Sequence, residues 1–152
     1  MDFHLISEKN IAQVESLWDY CFEKKDSYFF KWYFKEYCLK QNAVLGGFNK
    51  QGVLSTMVHL NPYTLKLRGM EAVTSYLVGV ATDPAARGRR ATKELFEMAF
   101  AILKAQGRFF VILMPAFTCL TNLPLFIPNI AMNYHYARCR LVKLMIALSW
   151  NE

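Results

Sequence analysis

The apolar residues of this chain follow two spacings, and these spacings divide it into helices and strands. Apolar residues that recur every three or four positions predict a helix with one buried face. Alternation of apolar and polar residues, or a short continuous apolar run, predicts a strand. The pattern therefore predicts an α/β protein. Helices are expected at Ser7–Phe22, about Tyr28–Leu39 and Arg87–Gln106, and strands at Phe3–Ile6, Ala43–Phe48, Val53–Leu67, Ala72–Thr82 and Phe109–Met114.

Turn-forming residues lie between or within these segments. Asn49-Lys50-Gln51-Gly52 predicts a hairpin between the second and third strands, and Gly107 is placed to end the long helix. Pro62 interrupts a strand and predicts a sheet edge or a bulge there. From the second predicted helix onward, the order helix–strand–strand–strand–helix–strand is expected of a layered α/β protein with a mixed sheet.

The C-terminal segment has weaker patterns. Phe117–Pro128 contains two prolines and predicts a loop or a brief helix, and Arg138–Trp150 fits either a last strand or a short helix. With 152 residues, of which 54% are apolar, the chain is expected to fold as one domain over residues 1–152.

Charge is unevenly distributed along the chain. The net charge is +6, and the stretch from Met98 to Asn151 has no Asp or Glu but five basic residues. Such a field attracts anions, whether cofactor phosphates, a nucleic acid or a membrane surface. No nucleic-acid-binding motif accompanies the basic residues. The longest apolar runs, Phe109–Ala116 and Leu141–Trp150, are too short to span a bilayer. We therefore expect neither a nucleic acid nor a membrane as partner.

Four cysteines and three histidines are scattered through the sequence. There is no Cys-x-x-Cys pair and no secretory leader, so reduced thiols and a cytoplasmic location are expected. The spacing gives no metal signature, and buried cysteines with ordinary histidines are the plainer interpretation.

The segment with the most distinctive chemistry joins a strand to a helix at Tyr76–Ala91. An apolar run stops at Asp83-Pro84 and passes through a basic loop into the helix. Backbone N–H groups at a helix N-terminus and guanidinium groups both favour phosphate. The segment thus predicts a phosphate site, with an ordinary connection bearing a solvated basic turn as the alternative. Four basic residues are expected in the first helical turn: Arg87, Arg89, Arg90 and Lys93.

The order V-x-V-A-T-D-P-x-x-R-G-R in this segment resembles the acetyl-CoA motif of the GNAT N-acetyltransferase superfamily. The likeness is closest to the N-terminal acetyltransferase domain of the Eis (enhanced intracellular survival) type. It extends to Trp32-Tyr33-Phe34, His59–Leu65 and Leu113–Ala116, and so covers about residues 1–116, with 117–152 as a divergent tail.

This resemblance implies a mixed, mostly antiparallel sheet flanked by helices and splayed at strands 4 and 5, where the pantetheine arm of acetyl-CoA enters. It implies an N-acetyltransferase that moves the acetyl group from acetyl-CoA to an amine. The strand positions at the pantetheine arm correspond to Val80, Ala81 and Thr82. The positions at the pyrophosphate correspond to Arg87, Gly88, Arg89, Arg90, Ala91, Thr92 and Lys93.

Three positions depart from the family pattern. Arg90 replaces the central glycine of the motif, and Thr92 replaces its final glycine or alanine. Arg90 either crowds the cofactor or supplies contacts through its guanidinium head. Thr121 replaces the tyrosine that reprotonates the CoA thiolate, and Tyr134 and Tyr136 are the candidates to substitute for it. These departures favour the alternative, which is a catalytically silent module that binds CoA or acts as an interaction module.

The acceptor side offers few candidates for a base. Asp19, Glu23 and Asp26 lie in or beside the helices that border the acceptor pocket in the family, although a solvated helical face is the plainer interpretation. Glu71 and His59 are further candidates without a motif. The resemblance implies an amine-bearing small molecule or a polyamine as acceptor, and the chain could form a homo-oligomer.

Overall fold

The structure is a computed structural model, and it describes residues 1–22, 32–41, 43–88, 90–108, 110–113, 130–132 and 144–148. The strands are β1 (Asp2–Leu5), β2 (Val44–Phe48), β3 (Leu54–Leu67), β4 (Met70–Thr82), β5 (Phe110–Leu113), β6 (Ile130–Met132) and β7 (Leu144–Leu148). The helices are α1 (Ile11–Cys21), α2 (π-helical Trp32–Cys38 continuing as the α-helical turn Leu39–Gln41) and α3 (Ala91–Ala105). Short 3₁₀ turns at Glu8–Asn10 and Pro84–Ala86 precede α1 and α3.

The strands form one sheet in the order β1-β2-β3-β4-β5-β7-β6. β4 and β5 are parallel, and the other neighbouring pairs are antiparallel. Because parallel strands need a crossover connection, α3 joins β4 to β5 across one face. The predicted mixed, mostly antiparallel sheet flanked by helices is confirmed.

Each face of the sheet has its own apolar core. Helix α3 has apolar residues at helical spacing and packs one side against the sheet, and α1 and α2 cover the opposite face. The α3 side buries Leu45, Val58, Leu60, Leu77, Leu95, Phe96, Ala99, Phe100, Leu103, Val111 and Leu113. The α1 side buries Ile6, Ile11, Val14, Leu17, Tyr33, Phe34, Cys38, Val44, Phe48, Leu54, Met57 and Ala81. Coverage on both sides explains why β2 is buried along its whole length.

Helix α3 starts later than predicted. The expected start was Arg87, but the helix begins at Ala91. Gly88 and Arg90 have φ angles of 76° and 60°, which no right-handed helix accommodates. Arg87 and Arg90 therefore lie in the loop, and only Lys93 of the predicted cluster lies within the described helix.

Local turn chemistry accounts for other boundaries. Arg68 and Gly69 both have positive φ and form the two-residue turn that lets β4 begin at Met70 rather than Ala72. Gly107 follows α3 with φ 73°, its N–H donates to the Lys104 carbonyl, and the prediction that it ends the helix is confirmed. Pro62 pairs with Ser75 in β4 but lies beyond the last β2 pairing, so the predicted edge is confirmed there.

The remaining boundaries shift by a few residues, as helix and strand ends commonly do. The first strand is Asp2–Leu5. The first predicted helix consists of the 3₁₀ turn Glu8–Asn10 followed by α1. Residues 28–31 of the aromatic helix and the predicted loop at 117–128 lie outside the described residues. Within the predicted segment 138–150, the described residues Leu144–Leu148 form β7, so the strand alternative is confirmed for them. None of the helices in the described ranges is both long and apolar enough to cross a membrane.

Candidate functional site

The edge of β4 that faces β5 is only partly paired. The ladder joins Ser75, Tyr76 and Leu77 of β4 to Val111–Leu113 of β5. β4 then continues through residues 78–82, which have no partner among the described residues of β5. Where no strand pairs them, backbone N–H and C=O groups along a strand edge can hydrogen-bond a ligand.

A β-bulge lies within the same stretch of β4. Met57 pairs with Ala81 and His59 pairs with Val78, so two residues of β4 oppose a single residue of β3. Gly79 is one of the two, and its φ angle is 58°. A glycine in the left-handed conformation is typical of such bulges, which bend the strand and remove a backbone group from the ladder.

Gly79 also permits a close approach of two side chains. A Cβ atom at this position would lie 2.6 Å from Cζ3 of Trp18 and 2.8 Å from Cδ2 of His59. Gly79 was not among the predicted site residues. An isolated glycine inside a strand pattern is the signal that would have identified it.

Three threonine hydroxyls connect the end of β4 to its neighbours. The Oγ1 atom of Thr82 lies 2.8 Å from that of Thr56 on β3 and 3.0 Å from that of Thr92 on α3. Thr56 also donates to the Ala81 carbonyl at 3.1 Å. Thr92, one of the departures from the family motif, thus fixes the first turn of α3 to the strand. Thr56 was not predicted, and it belongs to this network only because β3 pairs with β4.

Two hydrogen bonds of Asp83 order the start of the loop at residues 83–90. The Asp83 side chain accepts from the Ala85 N–H at 2.8 Å, and the Asp83 N–H donates to the Ser55 carbonyl at 2.9 Å. Gly88 is exposed and meets no atom within 4 Å of an added Cβ position. The loop therefore opens to solvent beyond the 3₁₀ turn.

The predicted basic residues have different surroundings. Arg87 Nε donates to the Thr82 carbonyl at 3.2 Å, which holds this side chain against the end of β4. Lys93 lies 3.7 Å from the Glu97 carboxylate, an exposed pair that contributes little to stability. Arg90 is exposed and precedes a helix N-terminus that its own side chain does not cap. Arg89 lies outside the described residues.

Arg90 occupies a conformation that favours glycine, so Arg90→Gly is expected to raise the free energy of unfolding by about 0.5 to 1 kcal/mol. The left-handed conformation costs a residue with a side chain about 1–2 kcal/mol, and part of this gain is offset by the greater freedom of glycine in the unfolded chain. Urea denaturation measures the change. A variant less stable than the wild type would show that the arginine head makes compensating contacts.

A buried polar cluster lies on the α1 side of the bulge. The ring of His59 has no exposed surface, and its Nδ1 lies 2.9 Å from the Tyr33 hydroxyl and 3.7 Å from the Cys38 sulfur. The Tyr33 hydroxyl contacts the side chain of Asn61, with Oη 3.3 Å from Oδ1 and 3.0 Å from Nδ2. Within the described residues, Nε2 of His59 has no hydrogen-bond partner.

Burial keeps this cluster uncharged. It lowers the pKa of His59 to about 3, so the ring is neutral at physiological pH. It raises the pKa of the Cys38 thiol to about 12 and shifts the Tyr33 pKa upward as well. The cluster therefore offers hydrogen bonds but no fixed charge.

The other candidates for acid or base are solvated or outside the described residues. Asp19 is exposed on α1, and Glu71 is exposed with its carboxylate 2.7 Å from Lys66 Nζ. Glu23, Asp26, Thr121, Tyr134 and Tyr136 lie outside the described residues.

A cleft of about 320 Å³ borders the loop on the α1 side. It is lined by Ala12, Gln13, Ser16, Leu17, Tyr20, Val53, Leu54 and Asp83. Its only ionisable acid or base besides the Tyr20 phenol is the carboxylic acid of Asp83. A carboxylate repels phosphate, so this cleft does not suit the anion predicted for the loop.

Three solved structures resemble this fold. The GCN5-related N-acetyltransferase from Kribbella flavida matches with a TM-score of 0.71 at 16% identity, over 79% of this chain and 31% of that one. The aminoglycoside antibiotic 6'-N-acetyltransferase from Acinetobacter haemolyticus matches with a TM-score of 0.63 at 14% identity, over 80% of this chain and 83% of that one. N-myristoyltransferase from Saccharomyces cerevisiae, with bound myristoyl-CoA, matches with a TM-score of 0.62 at 16% identity, over 75% of this chain and 29% of that one.

These likenesses establish the fold, and the family follows from the sequence. The chain spans about a third of the length of the Kribbella flavida structure. No curated protein sequence matches it significantly. The acetyltransferase (GNAT) domain family matches residues 2–121, which is most of the chain. This protein therefore belongs to the GNAT acetyltransferase family.

Proposed function

We propose that this domain is an acetyl-CoA-dependent N-acetyltransferase of the Eis type, which acts on an amine-bearing small molecule or a polyamine. The observation that carries the proposal is the junction of β4 and α3. There a strand edge that the described residues of β5 leave unpaired leads through an open loop to a helix N-terminus, with the exposed Arg90 between them.

The strand edge suits the pantetheine arm. The amide groups of this arm need hydrogen-bond partners. Residues 78–82 have backbone N–H and C=O groups that β5 does not pair within the described ranges. Val80 and Thr82 are half-buried and Ala81 is buried. An arm placed here would therefore be held mainly by the backbone, as a strand would be.

The loop and the first turn of α3 suit a pyrophosphate. The first N–H groups of a helix have no acceptor within the helix, and the helix dipole favours an anion there. Gly88 leaves space for a close backbone approach. Arg90 is exposed beside that space, which supports the view that its head contacts the phosphates rather than blocks them.

The fold relatives support this assignment. One of them contains bound myristoyl-CoA, and another is an aminoglycoside N-acetyltransferase. Acetyl transfer requires a protein to position the thioester, to polarise its carbonyl and to let a neutral amine attack. We assign the donor to the thioester carbonyl to a backbone N–H of the 80–82 stretch. The proton that reaches the departing thiolate is assigned to Tyr134 or Tyr136.

Arg90→Ala is expected to weaken acetyl-CoA binding by about 3- to 10-fold because a charge-assisted contact to phosphate is lost. Lys104→Ala is the matched control, since Lys104 is an exposed lysine in the last turn of the same helix. It should change the affinity by less than about twofold. Isothermal titration calorimetry measures both, and Arg89→Ala should follow Arg90→Ala. Equal effects of Arg90→Ala and Lys104→Ala would show that the phosphate site is misplaced.

Thiol release tests the catalytic part of the proposal. The wild-type protein is mixed with acetyl-CoA and, in turn, with kanamycin, spermidine and a lysine-containing peptide, and free CoA is titrated. We expect turnover with at least one of these amines. Acetyl-CoA binding without turnover would favour the silent CoA-binding module, and absence of binding to the folded protein would refute the proposal.

A further inference from the structure

His59 is a buried polar residue whose surroundings leave one ring nitrogen unused. Its side chain has no exposed surface, and Nε2 has no hydrogen-bond partner in the described part of the chain. An unsatisfied buried polar group costs about 1–3 kcal/mol, so native proteins rarely retain one without a function. A leucine or phenylalanine at this position would fill an apolar core without that cost.

The hydrogen bonds of the cluster allow two positions for the single proton of the neutral ring. The Tyr33 hydroxyl lies 3.3 Å from Oδ1 and 3.0 Å from Nδ2 of Asn61, so it either donates its proton to Oδ1 or accepts from Nδ2. In the first arrangement Nδ1 of His59 donates to the hydroxyl at 2.9 Å, and in the second it accepts from it. Only the first arrangement leaves a lone pair on Nε2, so that this nitrogen is a hydrogen-bond acceptor.

Nε2 faces the β-bulge. It lies 3.2 Å from the position that a Cβ atom of residue 79 would occupy, and glycine leaves that position empty. Gly79 belongs to the part of β4 that continues beyond its pairing with β5. The unused nitrogen thus lies beside the glycine of the bulge, in the stretch of β4 along which the acyl group is proposed to lie.

Aromatic rings surround His59 on the α1 side. The ring centroids of Trp18, Tyr33 and Phe34 lie 5.3, 5.5 and 5.9 Å from that of His59. This wall of rings favours the methylene groups and the nitrogen of an amine over an anion. It also keeps the imidazole from changing its orientation.

We propose that His59 positions the attacking amine, with Nε2 accepting a hydrogen bond from the amine nitrogen as that nitrogen approaches the thioester beside Gly79. This inference rests on the proposed function. In the step it serves, the amine nitrogen forms a bond to the acyl carbon, and the carbon–sulfur bond breaks with its electron pair on sulfur. One proton of the amine ends on the thiolate, so that the products are an amide and free CoA.

The role assigned to His59 is orientation and not proton storage. Burial keeps the ring neutral, so Nε2 remains an acceptor across the physiological pH range. A hydrogen bond to the attacking nitrogen directs its lone pair at the carbonyl carbon. Misplacement of a reacting group by about 1 Å can cost 100-fold in rate.

The tautomer of the free wild-type protein is the first test, because it needs no variant at the site. The chain has three histidines, and ¹⁵N-histidine labelling with His4→Gln and His135→Gln assigns their resonances. We expect His59 to be protonated on Nδ1 and bare on Nε2. A proton on Nε2 would overturn the inference, since that nitrogen could not accept from an amine. In the presence of CoA and the best amine of the panel, at a concentration that saturates turnover, the Nε2 resonance should shift.

Kinetics are the second test. His59→Phe keeps the ring volume but removes Nε2, and kcat should fall by about 100-fold while the acetyl-CoA affinity changes by less than about twofold. His59→Gln restores a polar atom near Nε2 and should recover about a tenth of the wild-type kcat. Cys38→Ala is the control for disturbance of the cluster on its Nδ1 side and should retain most of the activity.

The outcomes separate the two proposals. An active wild type with an equally active His59→Phe would overturn the inference alone. A wild-type protein that binds no acetyl-CoA would refute the proposed function, whatever the tautomer. Should His59→Phe fail to fold, the tautomer and the shift of the Nε2 resonance decide the question.

Discussion

Gly79→Ala is expected to lower the free energy of unfolding by about 2–4 kcal/mol and to abolish acetyl transfer. The left-handed conformation at this position, with φ at 58°, costs a residue with a side chain about 1–2 kcal/mol. The new methyl group would also lie 2.6 Å from Trp18 and 2.8 Å from His59, and such overpacking costs about 1–3 kcal/mol. Activity should be lost because relief of both contacts must move the bulge itself or the Trp18 and His59 rings that pack against it.

Gly107→Ala separates backbone strain from the steric contact. Gly107 has φ at 73°, similar to that of Gly79, but an added Cβ would meet no atom within 4 Å. Its substitution should cost only about 1 kcal/mol and leave thiol release unchanged. Urea denaturation and the thiol assay on both variants provide the comparison. Equal destabilisation by the two substitutions would show that the side chains of Trp18 and His59 move aside freely.

Acidification is expected to destabilise the wild-type protein by about 2–3 kcal/mol between pH 7 and pH 4.5 through His59 alone. The pKa of this ring is about 3 in the folded state, whereas an unperturbed histidine titrates near 6.5. Above about pH 6.5 neither state binds the proton, and this part of the stability is fully present. As the pH falls from 6.5 toward 3, the unfolded chain takes up the proton and the folded chain does not, so stability is lost.

Urea midpoints across this pH range measure the effect, and His59→Phe is the matched variant. Without the imidazole, the fall in stability between pH 7 and pH 4.5 should shrink to the contribution of the other titrating groups. The same pH dependence in wild type and His59→Phe would contradict the assignment, because the buried ring would then not be the source. Cys38→Ala should keep the wild-type pH dependence.

Much of the architecture could be predicted from local patterns. The periodic apolar residues that identify α3, the run at β5 and the turn residues around Gly107 each act over a few neighbouring positions, so the sequence reports them directly. The motif between β4 and α3 could likewise be identified from contiguous residues. Its end points were less accurate, because the positive φ angles of Gly88 and Arg90 that delay α3 are not visible in the order of residue types.

The candidate site was only partly accessible to such reasoning. Val80, Ala81 and Thr82 were placed correctly at the end of β4 and Lys93 in the first turn of α3, but Arg90 lies in the loop before the helix. The bulge at Gly79 was missed, since one extra residue in a strand is defined by its pairing with β3. The register of a strand pair depends on the residues of both strands, so the sequence of one strand does not determine it.

The sequence by itself determined the family, the alternation of helices and strands and the position of the basic loop. These features depend on neighbouring residues along the chain and on which of them are apolar enough to leave water for the core. Only the tertiary structure decided that Tyr33, His59 and Asn61 form one largely buried network and that Nε2 of His59 lies beside Gly79. It also decided that β4 extends beyond its pairing with the described residues of β5. The physical reason is distance along the chain. Tyr33 and His59 are 26 residues apart, and they meet because α2 packs on the face of the sheet where the His59 side chain of β3 lies.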